Sequence, residues 1–318
     1  MIIREDSSTN ENHGTYPGKR TIEQLLNYGV INLNKPQGPT SHQTVAWIRD
    51  MLALNKVAHT GTIDPMVSGV LVVMLNESVK ATELIGHEEK EYVALMHVHK
   101  QLPKETIEKS VSKFVGKIKQ IPPLKSAVAR RERVREIMDI KLPEINGKDV
   151  LLKVRCEAGT YIRRLVDDIG KDLKCGAHMA ELRRTRAGIF RESGSFTMHE
   201  LKDAWEIYKE TGDEKTLRQI IRPLEEILQT LKIKRLIVKD SAVNKICNGA
   251  AVGVNGIAQF DENIMKGEKV VILTLKGEVI AAATALMNSS EIKKAERGLA
   301  AKTDRVLMRL NTYPYYVN

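Results

Sequence analysis

The segment His59-Thr60-Gly61-Thr62-Ile63-Asp64-Pro65 places one carboxylate among small and polar neighbours, just ahead of an apolar run. Such a carboxylate can attack an electrophilic carbon, take a proton, or stabilise a charged intermediate. It can equally belong to a plain turn, because Asp before Pro is a common turn pair. A second segment, Gly159-Thr160-Tyr161-Ile162-Arg163-Arg164, opens an amphipathic stretch with two adjacent arginines. Cations in a first helical turn oppose the macrodipole, which favours anions there. A carboxylate or a phosphate should therefore hold at least one of them. The alternative is that both are solvated, at a cost of roughly a few tenths of a kcal/mol.

Two more basic clusters follow the same logic. Lys125, Arg130, Arg131, Arg133 and Arg135, with Glu132 among them, sum to +4 over eleven residues. Arg183, Arg184 and Arg186 form the other. A lone charge run is usually a solvated face. Three clusters flanking one candidate carboxylate point instead to a nucleic-acid groove. His97 and His99 share a strand face but have no Cys or carboxylate motif beside them, so they read as non-ligands. No phosphate-binding loop, dinucleotide fingerprint or His-Glu-x-x-His is present. The expected chemistry needs neither metal nor nucleotide.

Periodicity supplies the elements that must position these groups. Thr40 and Ser41 are good N-cap types, and Val45, Ile48 and Leu52 then recur at helical spacing over 40–52. Val70 to Leu75 reads as a strand buried on both faces. Tyr92, Ala94, Met96 and Val98 alternate, as do Val150, Leu152, Val154 and Cys156. Ile162, Leu165, Val166, Ile169 and Leu173 give an amphipathic helix ending near Gly176. Strands and helices mix without a regular βαβ rhythm, so the class is α+β. After a polar break near 211–215, the short strands Leu236–Val238, Val270–Leu275 and Val279–Ala283 follow. A Lys276-Gly277 turn separates the last two. Residues from about 232 to 310 therefore read as a small β-rich unit.

Composition agrees with two units: 318 residues, at about 100–200 per domain. Fifty Lys and Arg against forty Asp and Glu give a net charge of +10, which favours a polyanionic partner. Aromatics at 4% argue against binding by many stacking rings. The longest apolar run is far short of the roughly 18 residues of a membrane span. The polar start is not a signal peptide. Cys156, Cys175 and Cys247 form no Cys-x-x-Cys pair, which fits a reducing, cytoplasmic setting.

Taken in order, Lys35-Pro36-Gln37-Gly38-Pro39-Thr40-Ser41, His59 to Pro65 and Gly159 to Arg163 resemble the TruB-type pseudouridine synthases, over about residues 28–190. Pro122 to Val128, Arg130 to Arg135, Cys156 to Tyr161 and His178 to Arg184 are similar to the dyskerin branch in its archaeal form. Met66-Val67-Ser68 and Arg164 to Gly170 lean towards the bacterial form. Asn248 to Val252, continuing through Gly267 to Val270, resembles a PUA domain, a small RNA-binding β-barrel.

The resemblance implies a mixed or antiparallel-sheet catalytic domain at 21–230 and a PUA barrel at 231–312. An arm at 1–20 would dock on the barrel. It implies that Asp64 is the catalytic aspartate, Arg163 its partner and Tyr92 the ring that stacks on an extruded uracil. Leu182 becomes an apolar wall, and His59, Thr60, Gly61, Thr62 and Tyr161 line the substrate pocket. Lys35 and Pro36 pack behind the catalytic loop. Lys125, Arg130, Arg131, Arg133, Arg135 and Arg184 would grip RNA. No cofactor is implied, because the isomerisation gains and loses no atom.

The implied partners are an H/ACA guide RNA, rRNA and tRNA substrates (uridine 55 in the latter) and three small companion proteins, with no membrane. Only Lys100 to Thr106 separate strand 91–99 from the next helix, where bacterial members carry a tRNA-gripping insertion. This favours guided targeting. The competing expectations are a stand-alone tRNA synthase and a non-catalytic RNA-binding scaffold. A glycosidase would need a second acid carboxylate, for which no motif is present.

Overall fold

Alternating and continuous apolar runs sort the strands into two sheets. The structure, a computed structural model, describes residues 1–86, 88–122 and 131–315. Among these, ten strands form the first sheet. Its main path runs Ile221–Pro223, Gly29–Lys35, Val67–Leu75, Ala177–Ala187, Lys90–Val98, Asp149–Cys156, Arg133–Asn146, Gly116–Gln120. Val57–Thr60 adds to Val67–Leu75.

One pair on this path is parallel: Val67–Leu75 beside Ala177–Ala187, with Gly69 opposite Arg184. A Cβ on Gly69 would lie 2.2 Å from the Arg184 carbonyl oxygen, and its φ is +103°. Only glycine lets the two strands meet there.

The apolar run at Val70–Leu75 is unbroken because both faces are covered. Leu71, Val73 and Leu75 pack with Ile22, Leu25, Val45 and Ile48 from the helices Ile22–Asn27 and Ser41–Met51. Val70, Val72 and Met74 pack with Val271, Leu273 and Val279 of the second sheet. Strand Lys90–Val98 instead alternates, burying Lys90, Tyr92, Ala94, Met96 and Val98. Asp149–Cys156 buries Val150, Leu152, Val154 and Cys156. Helix Ile162–Asp172 lays Ile162, Leu165, Val166 and Ile169 on the same core.

The second sheet has seven strands among the described residues. Lys269–Leu273 and Val279–Ala285 form the expected hairpin, with Gly277 at φ +82° in its turn. The N-terminal residues follow this sheet. Ile2–Ile3 pairs with Ile257–Phe260, and Lys276 Nζ donates to the carbonyls of His13 at 2.7 Å and Glu11 at 3.1 Å.

A buried ion pair ties the sheets together. Arg20 donates to both oxygens of Glu225 at 2.7 and 2.8 Å, and Glu225 also accepts from the Val279 amide at 3.0 Å. The architecture is α+β, a mixed sheet with flanking helices followed by a small β-rich unit. No helix among the described residues is long and apolar enough to cross a membrane.

Candidate active site

Asp64 lies in the connection between Val57–Thr60 and Val67–Leu75. Three sets of hydrogen bonds shape this loop. The Val67 amide donates to the Asp64 carbonyl at 3.0 Å, closing the Asp-Pro turn. Ser41 Oγ accepts from the Ile63 amide at 3.1 Å and donates to its carbonyl at 2.9 Å. Lys35 Nζ, fully buried, donates to the carbonyls of Pro36, Pro39 and Pro65. Ser41 is itself placed by a capping box, in which Thr40 and Gln43 satisfy each other's amides at the helix start. The turn is thus the device that holds the carboxylate out, so the plain and the reactive expectations describe one structure.

Arg163 Nη2 stands 3.2 Å from Asp64 Oδ2, and both side chains are exposed. Arg163 occupies the first turn of helix Ile162–Asp172, which has no acidic residue and no side-chain cap at that end. The buried Gln120 clamps the turn: its Oε1 accepts from the Tyr161 amide at 3.0 Å and its Nε2 donates to the Tyr161 carbonyl at 3.1 Å. Arg164 pairs with Asp167 and Asp168 at 3.1 and 3.3 Å. Both unfavourably placed arginines therefore have carboxylate partners, one of them the candidate reactive group.

Tyr92 is buried in an apolar cluster with Ile63, Val67, Ala94 and Leu182. Leu182 faces Val67 on one side and Ala94 on the other. Burial pushes the Tyr92 phenol above its ordinary value, and the nearby Arg184 guanidinium opposes this. The phenol therefore keeps its proton at neutral pH.

His59 sits on Val57–Thr60, half-buried, with its ring edge-on to His42 at 5.1 Å. Burial, then His42 and Arg184, push its imidazole down to about 4. It is neutral at physiological pH and offers no charge to a phosphate. Thr60 is buried, Gly61 has φ +70°, Thr62 is exposed and Tyr161 half-buried.

The basic clusters need correction. Arg184 was expected on an RNA-binding surface, but only 1% of it is exposed. Side chains alternate along Ala177–Ala187, so Arg184 shares the inward face with Leu182. Its Nε donates to the Val70 carbonyl at 2.7 Å and its Nη2 to the Gly61 carbonyl at 2.9 Å. Arg183 is held by Glu192, Ser68 and Asn34, and Arg186 pairs with Glu89.

Arg135 is likewise occupied: it bonds Glu157 at 2.9 Å and lies over Gly159. Arg131 is exposed and Arg133 half-exposed, and both remain available to a polyanion. Lys125 and Arg130 lie outside the described residues. His97 bonds Asp149 and His99 bonds His178, while no group among the described residues could hold a metal ion.

Sequence reasoning missed Gln120 and Lys90, and it read Ser41 as a cap candidate without its contact to Ile63. Lys90 had left a signal, a lysine on the inward parity of an alternating strand. It is buried, donates to the carbonyls of Glu88 and Gly86 at 2.6 and 3.3 Å, and is pushed down to about 8 by burial and then Arg184. Gln120 and the Ser41 contact left none.

Comparison with known proteins follows the same order along the chain. Residues 1–45 match the DKCLD domain, and 49–105 and 97–162 the TruB family pseudouridylate synthase N-terminal domain. Residues 163–229 match the tRNA pseudouridylate synthase B C-terminal domain, and 234–307 the PUA domain. The chain is 47% identical to the "Probable tRNA pseudouridine synthase B" of Methanocaldococcus jannaschii, over 99% of this chain and 93% of that protein. It is 46% identical to the protein of that name from Methanothermobacter thermautotrophicus, over 99% and 96%.

Among solved structures, it superposes with a TM-score of 0.88 at 42% identity on a chain of an H/ACA RNP bound to a substrate RNA containing 2'-deoxyuridine, covering 99% of this chain and 96% of that one. For a chain of a Cbf5-Nop10-Gar1 complex the TM-score is 0.87 at 44% identity, covering 98% and 95%. Motifs, fold and relatives converge along the whole chain: it belongs to the TruB family of pseudouridine synthases and carries a C-terminal PUA domain.

Proposed function

We propose that this chain isomerises uridine to pseudouridine in rRNA, and at uridine 55 of tRNA, as the catalytic subunit of a cytoplasmic guide-RNA H/ACA particle. The observation that carries the site is the Asp64–Arg163 contact at 3.2 Å, with Tyr92 and Leu182 buried in the core cluster that also holds Ile63, next to Asp64 in the chain. Arg163 directs the carboxylate. Asp64 then has two routes. It attacks C1′ and the glycosidic electron pair leaves with uracil, or it takes the C2′ proton as that bond breaks. In both, uracil turns over Tyr92 and C5 forms the new bond to C1′, as the Asp64–C1′ bond breaks in the first route or Asp64 returns the proton to C2′ in the second, and N1 takes up a proton. The C5 proton then goes to solvent. Leu182 walls the pocket, with His59, Thr60, Gly61, Thr62 and Tyr161 around the extruded nucleotide.

In this reading residues 1–20 are an arm on the PUA barrel, 21–230 the catalytic domain and 231–312 the barrel. Arg131 and Arg133 contact RNA backbone. The likeness to a chain of a Cbf5-Nop10-Gar1 complex supports companion proteins, and the likeness to a chain of an H/ACA RNP bound to a substrate RNA supports action within an RNA-containing particle. The relatives' printed name supports a second reading, a stand-alone tRNA synthase.

The test incubates the purified chain with unmodified tRNA, and separately with guide RNA, companion proteins and a complementary target. Pseudouridine in the target only when the guide is present is the expected result. Product on tRNA alone supports unguided action as well. No product in either, with RNA binding retained, would leave a scaffold and contradict the enzyme.

A further inference from the structure

Lys35, Lys90 and Arg184 are buried around the reactive loop, and none forms an ion pair among the described residues. Burying a cation without a carboxylate is expensive, and apolar side chains would fill the same volume at less cost. Their donors go to carbonyls alone: Lys35 to Pro36, Pro39 and Pro65, Lys90 to Gly86 and Glu88, and Arg184 to Val70 and Gly61. Such bonds hold a cation in place and leave its charge uncancelled. At 4% exposure or less, none of the three can meet an RNA phosphate.

The strands set two of these charges beside the pocket residues. Lys90 stands two positions before Tyr92 on the inward face of Lys90–Val98, and Arg184 two after Leu182 on that of Ala177–Ala187. Tyr92 and Arg184 are direct cross-strand neighbours. Both cations also come up against the reactive loop: a Cβ placed on Gly61 would lie 3.5 Å from Arg184 Nη1 and 3.6 Å from Lys90 Cε. Asp64 already has Arg163 as its partner, so these buried charges are a surplus at the site.

Resting on the synthase reading above, we propose that Lys90 and Arg184 form a fixed positive layer that stabilises uracil while it carries the glycosidic electron pair. When the C1′–N1 bond breaks, both electrons stay with uracil and the charge spreads over O2 and O4. It is discharged when C5 bonds to C1′. Charges fixed in advance in a water-poor site stabilise such an anion with no reorganisation at the moment of reaction.

The test varies the leaving group. Full-length protein, with any guide and companion proteins that the activity requires, meets target RNA carrying either uridine or 5-fluorouridine at the modified position. Fluorine makes the pyrimidine more acidic, so its anion needs less help to leave. The readouts are RNA affinity and the single-turnover rate at which the original nucleoside is consumed. The variants are Lys90→Met and Lys90→Gln; the second keeps donors for the Gly86 and Glu88 carbonyls without the charge. Each should slow uridine consumption by about 100-fold, 5-fluorouridine consumption by only about tenfold, and leave RNA affinity within about twofold. Arg184→Gln should show the same ordering.

Equal losses on the two nucleosides would overturn the proposal, since a cation that only supports the loop or Asp64 does not sense the leaving group. So would wild-type turnover in Lys90→Gln, or wild-type protein that converts uridine and leaves 5-fluorouridine intact. If Lys90→Met does not fold, Lys90→Gln decides. Wild-type protein that leaves uridine unmodified would contradict the synthase reading itself, a result distinct from equal losses in an active enzyme.

Discussion

At the residue scale, the site depends on what each polar group has as a partner. Arg163 sits at a helix start that disfavours it, and its compensation is Asp64 at 3.2 Å. Arg163→Lys retains the charge but not the planar fork, so turnover should fall about 10- to 100-fold with RNA affinity nearly unchanged. Steady-state kinetics beside filter binding would check this. His59 gives a pH signature. Its folded-state value near 4 lies below the ordinary 6.5. The unfolded chain therefore binds the extra proton first as pH falls. The stabilising contribution is complete above about pH 6.5 and is lost towards pH 4, at most about 3 kcal/mol. Urea unfolding at pH 7.5 and 4.5 should show that His59→Gln flattens this dependence. The residue types alone left Asp64 open as a plain turn and Arg163 as a solvated cation; only the family resemblance paired them, and they lie 3.2 Å apart. Arg184 was misread because charge alone does not say which face of a strand a side chain takes. Its parity with Leu182 carried that information.

At the element scale, periodicity located the helices and strands that build the site. Val70–Leu75, Lys90–Val98 and Asp149–Cys156 bury the residues that their patterns assign to the interior. What periodicity could not reveal is how loops are pinned to elements distant in sequence. Ser41 reaches Ile63, and Gln120 reaches Tyr161. A single serine or glutamine has no pattern to betray such a contact. Ser41→Ala removes both partners of the Ile63 backbone and leaves two buried polar groups unpaired. Each costs about 1–3 kcal/mol. The melting temperature should fall and turnover should drop with it, since the loop that presents Asp64 is loosened. Equal stability of the variant would show that the Ile63 groups find other partners.

At the scale of the whole molecule, the excess of basic residues is less available than its count of +10 suggests. Arg135, Arg183, Arg184 and Arg186 are spent inside the fold, so Arg131 and Arg133 matter more to any RNA groove. The two sheets are joined by the buried Arg20–Glu225 pair, which also captures the Val279 amide. Arg20→Ala leaves the Glu225 carboxylate uncompensated and should cost about 3–5 kcal/mol. Calorimetry should then show the melting transition lowered, or divided in two. This joint was invisible in the sequence, because its members are about 200 positions apart. The central claim is that Asp64 performs the isomerisation, and the most direct measurement is tritium release from RNA labelled at uridine C5. The new bond forms at C5, so every turnover frees that tritium. Wild-type protein, with the guide and companions it requires, should release it. Asp64→Asn should bind the same RNA with similar affinity and release none. Release by Asp64→Asn at the wild-type rate would contradict the account.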